Sequence, residues 1–300
     1  MSKHTASVAE SSVKVNGVTI AYRIQGSGPA LLAVMGLGGQ LTDWTPELIE
    51  GLAEHFTVIT FDNRDVGLST ISPGAAPTTR DFMKARLLKR SIPSDYTLVD
   101  MAADAIGLVD ELGISSVHAV GLSMGGMIAQ TLAIIYPDRI RSLTSIMSTT
   151  GDIKAGSIDP KVMLSMGRMD LPTTVEEAVE SSVAKFRLFA GSSWSAERHE
   201  ARSRHSFNRS WHPDGVGRQL AAIAAAPDRT PELRKLSVPT LVVHGMQDKL
   251  VRPSGGTATA AAVPGSRLLM FPDMGHDIPM NRCGEIVDAI VANAARASVV

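Results

Sequence analysis

Cysteine is all but missing from the chain. Cys283 stands alone, so no disulfide can form within it and no cluster of thiolates can hold a metal; a cytoplasmic location is the expectation. An excess of one charge is missing too. The formal net charge is -1 and the two signs are mixed along the sequence, which leaves no broad basic field for nucleic acid or an anionic lipid surface. A nucleic-acid partner is not expected. The first thirty residues hold no basic stretch followed by a continuous apolar run, and the longest apolar run, near Pro29 to Gly38, falls far short of a bilayer span. The chain therefore reads as soluble and unprocessed, and the triplet Asn208-Arg209-Ser210, without a secretory signal, reads as chance. Repeats at a fixed period are absent, and low complexity is limited to the alanine-rich stretch Ala221 to Ala226, which reads as ordinary helix.

What is present is enough apolar material for one large core: 300 residues, 44% of them hydrophobic, suit a single domain with an insertion. Asn16-Gly17, between the alternating runs Ser12 to Val15 and Val18 to Ile24, predicts an antiparallel hairpin. From Pro29 the pattern changes to short, continuously apolar runs, Ala30 to Met35, Val58 to Phe61, Val117 to Val120 and Thr240 to Val243, as strands buried on both faces require. Helical patterns separate them. The clearest carries Leu98, Met101, Ala102, Ala105, Leu108, Val109 and Leu112 on one stripe, opens at Thr97 with Asp100 three residues on, and stops at Gly113. Such alternation gives a mostly parallel α/β sheet with helices on both faces.

Between Thr149 and Lys235 the alternation fails. Helical stretches there carry Met163, Met166, Met169, Phe186, Phe189, Trp194 and Trp211 with no good strand, so the chain divides into a first core part (1–148), a helical insertion (149–235) and a second core part (236–300).

The chemistry centres on Gly121-Leu122-Ser123-Met124-Gly125-Gly126, at the junction of the Val117 strand and an apolar helix ending near Tyr136-Pro137. A hydroxyl becomes a useful nucleophile where a sharp turn presents it to a base, and small residues two before and two after it let strand and helix close up. Ser123 is the candidate nucleophile. His276, directly after the last apolar strand Arg267 to Phe271, is the one histidine beyond Gly245 and the candidate base. His4, His55, His118, His199, His205 and His212 read as structural or surface groups, and His244 as a strand-end support. The third member must hold the imidazole tautomer. Asp248 follows the strand Leu241 to His244 by a short turn; Asp152, after the strand Ile140 to Met147, is its rival. Asp273 and Asp277 read as turn residues of the His276 loop.

Charge that develops on a carbonyl oxygen needs backbone N–H donors. The candidates are Met124, which opens a helix, and Leu37 in the flexible Gly36-Leu37-Gly38-Gly39 loop. The same loop, with Asp62 ending the next strand, also invites a dinucleotide reading. Leu41, where the third glycine should stand, argues against it.

The elbow, the loop glycines and the run Phe61-Asp62-Asn63-Arg64-Asp65-Val66-Gly67-Leu68-Ser69 together resemble the α/β-hydrolase superfamily over nearly the whole chain. Within it the sequence is similar to the esterase and lipase group that includes aclacinomycin methylesterase-like enzymes, although Met35 stands in Val34-Met35-Gly36 where many relatives carry histidine before the glycine. The stretch Asp248 to Gly256 resembles the acid loop of carboxylesterases in this group and favours Asp248. The resemblance implies an eight-stranded, mostly parallel sheet, a helical cap over the site, no metal and no organic cofactor, while the methionine-rich insertion with Trp194 and Trp211 suggests an apolar pocket for a small hydrophobic ester. Serine at position 123 disfavours relatives that use an aspartate nucleophile. Acyltransferases, perhydrolases and carbon-carbon bond hydrolases share the triad, and a ligand-binding receptor on the same fold is the competing class.

Overall fold

The computed structural model describes residues 9–88, 92–166 and 172–298; His4 and Met169 fall outside them. The chain opens with the hairpin β1 (Ser11–Val15) and β2 (Val18–Gln25). Asn16 and Gly17 take φ of 48° and 79°, the two positive values this turn demands. Then come β3 (Ala30–Val34), α1 (Pro46–Ala53), β4 (Thr57–Phe61), α2 (Thr79–Leu88), α3 (Leu98–Glu111), β5 (Val117–Leu122), α4 (Met124–Ile135) and β6 (Ile140–Ile146). Met35 and Met147, expected as strand ends, each lie one residue beyond.

Between β6 and Thr240 the described residues form no strand but the helices α5 (Pro160–Met166), α6 (Val175–Phe189), α7 (Ala196–Arg209), α8 (Pro213–Ala225) and α9 (Thr230–Leu233). The core then resumes with β7 (Thr240–Gly245), α10 (Ser254–Ala262), β8 (Arg267–Phe271) and α11 (Cys283–Ala295). Among the described residues no helix is long and apolar enough to cross a membrane.

The eight strands form one sheet in the order β1-β2-β4-β3-β5-β6-β7-β8. The β1-β2 and β2-β4 pairs are antiparallel and every other pair is parallel. Alternation along β3 explains the layering. Leu32 and Val34 join the apolar cluster with Leu108, Ile128 and Leu132 of α3 and α4, whereas Leu31 and Ala33 join Leu48 of α1 and Ile286 and Ile290 of α11 on the other face. Successive side chains of a strand point to opposite faces, so a run that is apolar at every position builds both cores. The capping box at Thr97 and Asp100 forms as the spacing requires, and Gly113, at φ of 68°, ends the helix.

The order of strands matters most at its centre. From β3 the chain moves outward to β4 and then returns to the other side of β3 for β5, so loops leaving β3 and β5 diverge and leave a crevice at their carboxyl ends. Register keeps those ends level: Val34 pairs with Gly121, Leu122 with Ile146, Ile146 with Val243 and Gly245 with Phe271.

Candidate active site

Ser123 stands in that crevice with φ of 56° and ψ of −118°, outside the regions open to ordinary L-residues. Its N–H donates to Ile146 and its carbonyl accepts from the Ser148 hydroxyl, at 2.9 and 2.8 Å. The turn requires strand and helix in close approach. A Cβ on Gly121 would lie 2.0 Å from the Gly125 carbonyl oxygen, and one on Gly125 would lie 2.0 Å from that of Val34.

His276 reaches the same place from β8. Its Nε2 is 2.9 Å from Ser123 Oγ and its Nδ1 is 2.7 Å from Asp248 Oδ2. With Asp248 ionised, Nδ1 carries the proton and donates to the carboxylate, leaving Nε2 to accept from the serine hydroxyl. The other oxygen, Asp248 Oδ1, accepts the N–H groups of Leu250 and Val251 at 2.9 Å each. Burial acts to raise the Asp248 carboxyl, but the neighbouring His276 and His244 rings outweigh it and hold the group below the ordinary carboxylate range. His244 donates from Nε2 to the Val251 carbonyl at 2.8 Å and lies 3.5 Å from Asp248 Oδ2, fixing the turn that carries the acid. Asp152 is engaged elsewhere, accepting the Lys154 N–H within its own turn.

The two candidate backbone donors are Met124 and Leu37. Met124 is the first residue of α4, where an N–H has no intrahelical acceptor. Leu37 lies in the loop after β3, and a Cβ on its neighbour Gly36 would come 3.2 Å from Ser123 Cβ. Neither N–H has a hydrogen-bond partner among the described residues. The next N–H, that of Gly38, is already taken by Gln219 Oε1 at 2.8 Å, and Gln219 Nε2 donates to the Arg64 carbonyl at 2.8 Å.

Gln219 belongs to α8 and is wholly buried; sequence reasoning missed it, because nothing in an alanine-rich helix marks one glutamine as a clamp. The inserted helices also grip the His276 loop. The His276 N–H donates to the Phe189 carbonyl at 2.9 Å, the Phe189 ring meets the imidazole edge-on at 5.9 Å, and Asp277 Oδ1 accepts the Gly191 N–H at 2.7 Å. Asp277 is thus more than a turn residue. Burial raises its carboxyl above the ordinary range.

Asp62 has no room for a ribose. Its oxygens accept from the Leu41 and Leu68 N–H groups and from the Arg209 guanidinium, at 2.7 to 2.9 Å, so it ties the β3 and β4 loops to α7. Among the described residues no group of three or more His, Cys, Asp or Glu side chains could hold a metal ion.

A family model for the alpha/beta hydrolase fold matches residues 29–282. Rhodomycin D methylesterase DnrP of Streptomyces peucetius is 27% identical over 292 residues, covering 90% of this chain and 92% of that protein. The putative non-heme bromoperoxidase BpoC of Mycobacterium tuberculosis is 25% identical over 279 residues, covering 86% of this chain and 91% of that protein. Among solved structures, an esterase from Thermogutta terrifontis superposes with a TM-score of 0.71 at 26% identity, over 96% of this chain and 99% of that one. With an eight-stranded sheet of the matching kind and a match over most of its length, the chain belongs to the α/β-hydrolase fold family.

Proposed function

We propose that the protein is a serine hydrolase that cleaves carboxylic esters through an acyl-enzyme, with residues 149–235 as a helical cap. The observation that carries this reading is the unbroken hydrogen-bonded line from Ser123 Oγ through the His276 imidazole to Asp248. The methylesterase name of one relative and the esterase title of one solved structure support it.

In this mechanism Ser123 Oγ attacks the ester carbonyl carbon while His276 Nε2 takes its proton. The carbonyl oxygen, now negative, accepts from the Leu37 and Met124 N–H groups, which need no rearrangement at that moment. The imidazolium, stabilised by Asp248, returns its proton to the departing alkoxide as the carbon–oxygen bond breaks. Water then attacks the acyl-enzyme with His276 again as base, releasing the carboxylic acid and restoring the serine. Half-exposed Leu37 and Val216 flank the loop beside the serine, which suits an apolar acyl or alcohol group.

A panel of p-nitrophenyl esters of increasing acyl length tests the reading. Steady turnover with a chain-length optimum, lost in Ser123→Ala, is the expected result; full activity in Ser123→Ala overturns it. A single labelling event without turnover would favour a receptor, and faster consumption with an added alcohol or peroxide acceptor would favour acyl transfer.

A further inference from the structure

A cavity of about 340 Å³ lies apart from Ser123, between the start of α7 and the Asp277–Asn281 stretch that follows His276. Its walls include neither Ser123 nor Leu37 nor His276. Its lining holds the apolar side chains of Trp194, Ile278 and Met280 and the guanidinium groups of Arg198 and Arg202, the last two one turn apart on the same face of α7.

The two arginines differ in what balances them. Arg198 is paired with Glu47 at 2.5 Å. Arg202 has no carboxylate within ion-pair distance among the described residues, and its one hydrogen bond, from Nη2 to His199 Nδ1, is long at 3.3 Å. That imidazole is a neutral acceptor, since burial and then the Arg202 charge push it down to about 4, and its Nε2 is 2.9 Å from the Ser182 hydroxyl. The acid in the cavity wall, Asp277, spends Oδ1 on the Gly191 and Gly275 N–H groups, and burial favours its neutral form. A guanidinium keeps its charge at any ordinary pH. Held in a partly desolvated wall, it has only the longer-range attraction of Asp43, Asp277 and Glu47 and most of its fork of donors still to satisfy.

We propose that this cavity is a binding site for a small organic anion: a carboxylate seated on Arg202 with its apolar body against Trp194, Ile278 and Met280. Its size stands at the lower end of small-molecule sites, and the planar fork of arginine matches a carboxylate in two parallel hydrogen bonds. This inference does not rest on the hydrolase reading, because no residue of that mechanism lines the cavity.

Calorimetric titration with benzoate tests it, using benzamide as the neutral isostere and inorganic phosphate as an anion without an apolar body. Wild-type protein should bind one benzoate saturably, with benzamide and phosphate weaker by about ten-fold or more. Arg202→Gln should weaken benzoate by a similar factor, whereas Arg204→Gln, an exposed position paired with Glu200, should leave it unchanged. Absent saturable binding in the wild type, equal binding by Arg202→Gln, or equal binding of benzamide or phosphate overturns the proposal. Should Arg202→Gln fail to fold, protection of Arg202 from phenylglyoxal by benzoate, mapped by peptide mass spectrometry on the wild type, decides: protection supports the site and its absence overturns it.

Discussion

Gln219 accepts the Gly38 N–H at 2.8 Å, so a side chain of the inserted helices holds the loop that offers Leu37 to the Ser123 crevice. The second bond of the same amide, to the Arg64 carbonyl, fixes which way it faces. The inserted helices are therefore part of the site's framework.

Replacing Gln219 with leucine should release that loop. In the proposed mechanism the Leu37 donor then loses its alignment, and kcat for an activated ester should fall by about ten-fold or more with KM little changed. Gln219→Glu keeps the acceptor for Gly38 and loses the donor to Arg64, so it should fall less. Steady-state kinetics of both variants check the order; an unchanged kcat in Gln219→Leu would show that the loop holds itself.

Gly125 and Gly284 should respond to alanine in opposite ways. A Cβ at Gly125 would strike the Val34 carbonyl oxygen at 2.0 Å, whereas one at Gly284 meets nothing within 4 Å. Gly125→Ala should cost at least about 3 kcal/mol or prevent folding. Gly284→Ala, in α11, should stabilise by about 0.5–1 kcal/mol. Urea unfolding of the two variants beside the wild type measures both.

His118, buried on β5 with Nδ1 2.8 Å from the Ser142 hydroxyl, should make stability fall in acid. Burial, then the Arg141 charge, lower it from 6.5 to about 4. Between those values the unfolded chain binds the proton that the folded chain refuses, so stability rises with pH and is lost as pH drops through that window. In His118→Leu the slope of unfolding free energy against pH should be shallower by up to about 1.4 kcal/mol per pH unit. Identical slopes in urea titrations across that window would contradict the assignment.

Much of this was legible in the sequence, and where it was, local chemistry explains why. Asn16-Gly17 admits the positive φ values of a tight hairpin, short continuous apolar runs between helical patterns suit strands buried on two faces, and Ser123 with its flanking glycines marks a turn few other residues tolerate. The order of Ser123, Asp248 and His276 along the chain picked out three side chains that the structure brings within hydrogen-bonding distance. Gln219 and Arg209 were illegible for the opposite reason. Each acts through a bond to a residue well over a hundred positions away, and no periodicity or neighbouring residue announces such a contact. The swing of Asp277 into a buried role had the same origin, since its partner Gly191 comes from the insertion.

The central claim is that Ser123 is the nucleophile, activated by His276. Its most direct measurement is intact-protein mass spectrometry after exposure to a fluorophosphonate, with the modified peptide sequenced, on wild type, Ser123→Ala and His276→Ala. The account predicts one adduct on Ser123 in the wild type, none in Ser123→Ala, and labelling slowed by about a hundred-fold or more in His276→Ala. An adduct on another residue, or equal labelling of Ser123 without His276, would contradict it.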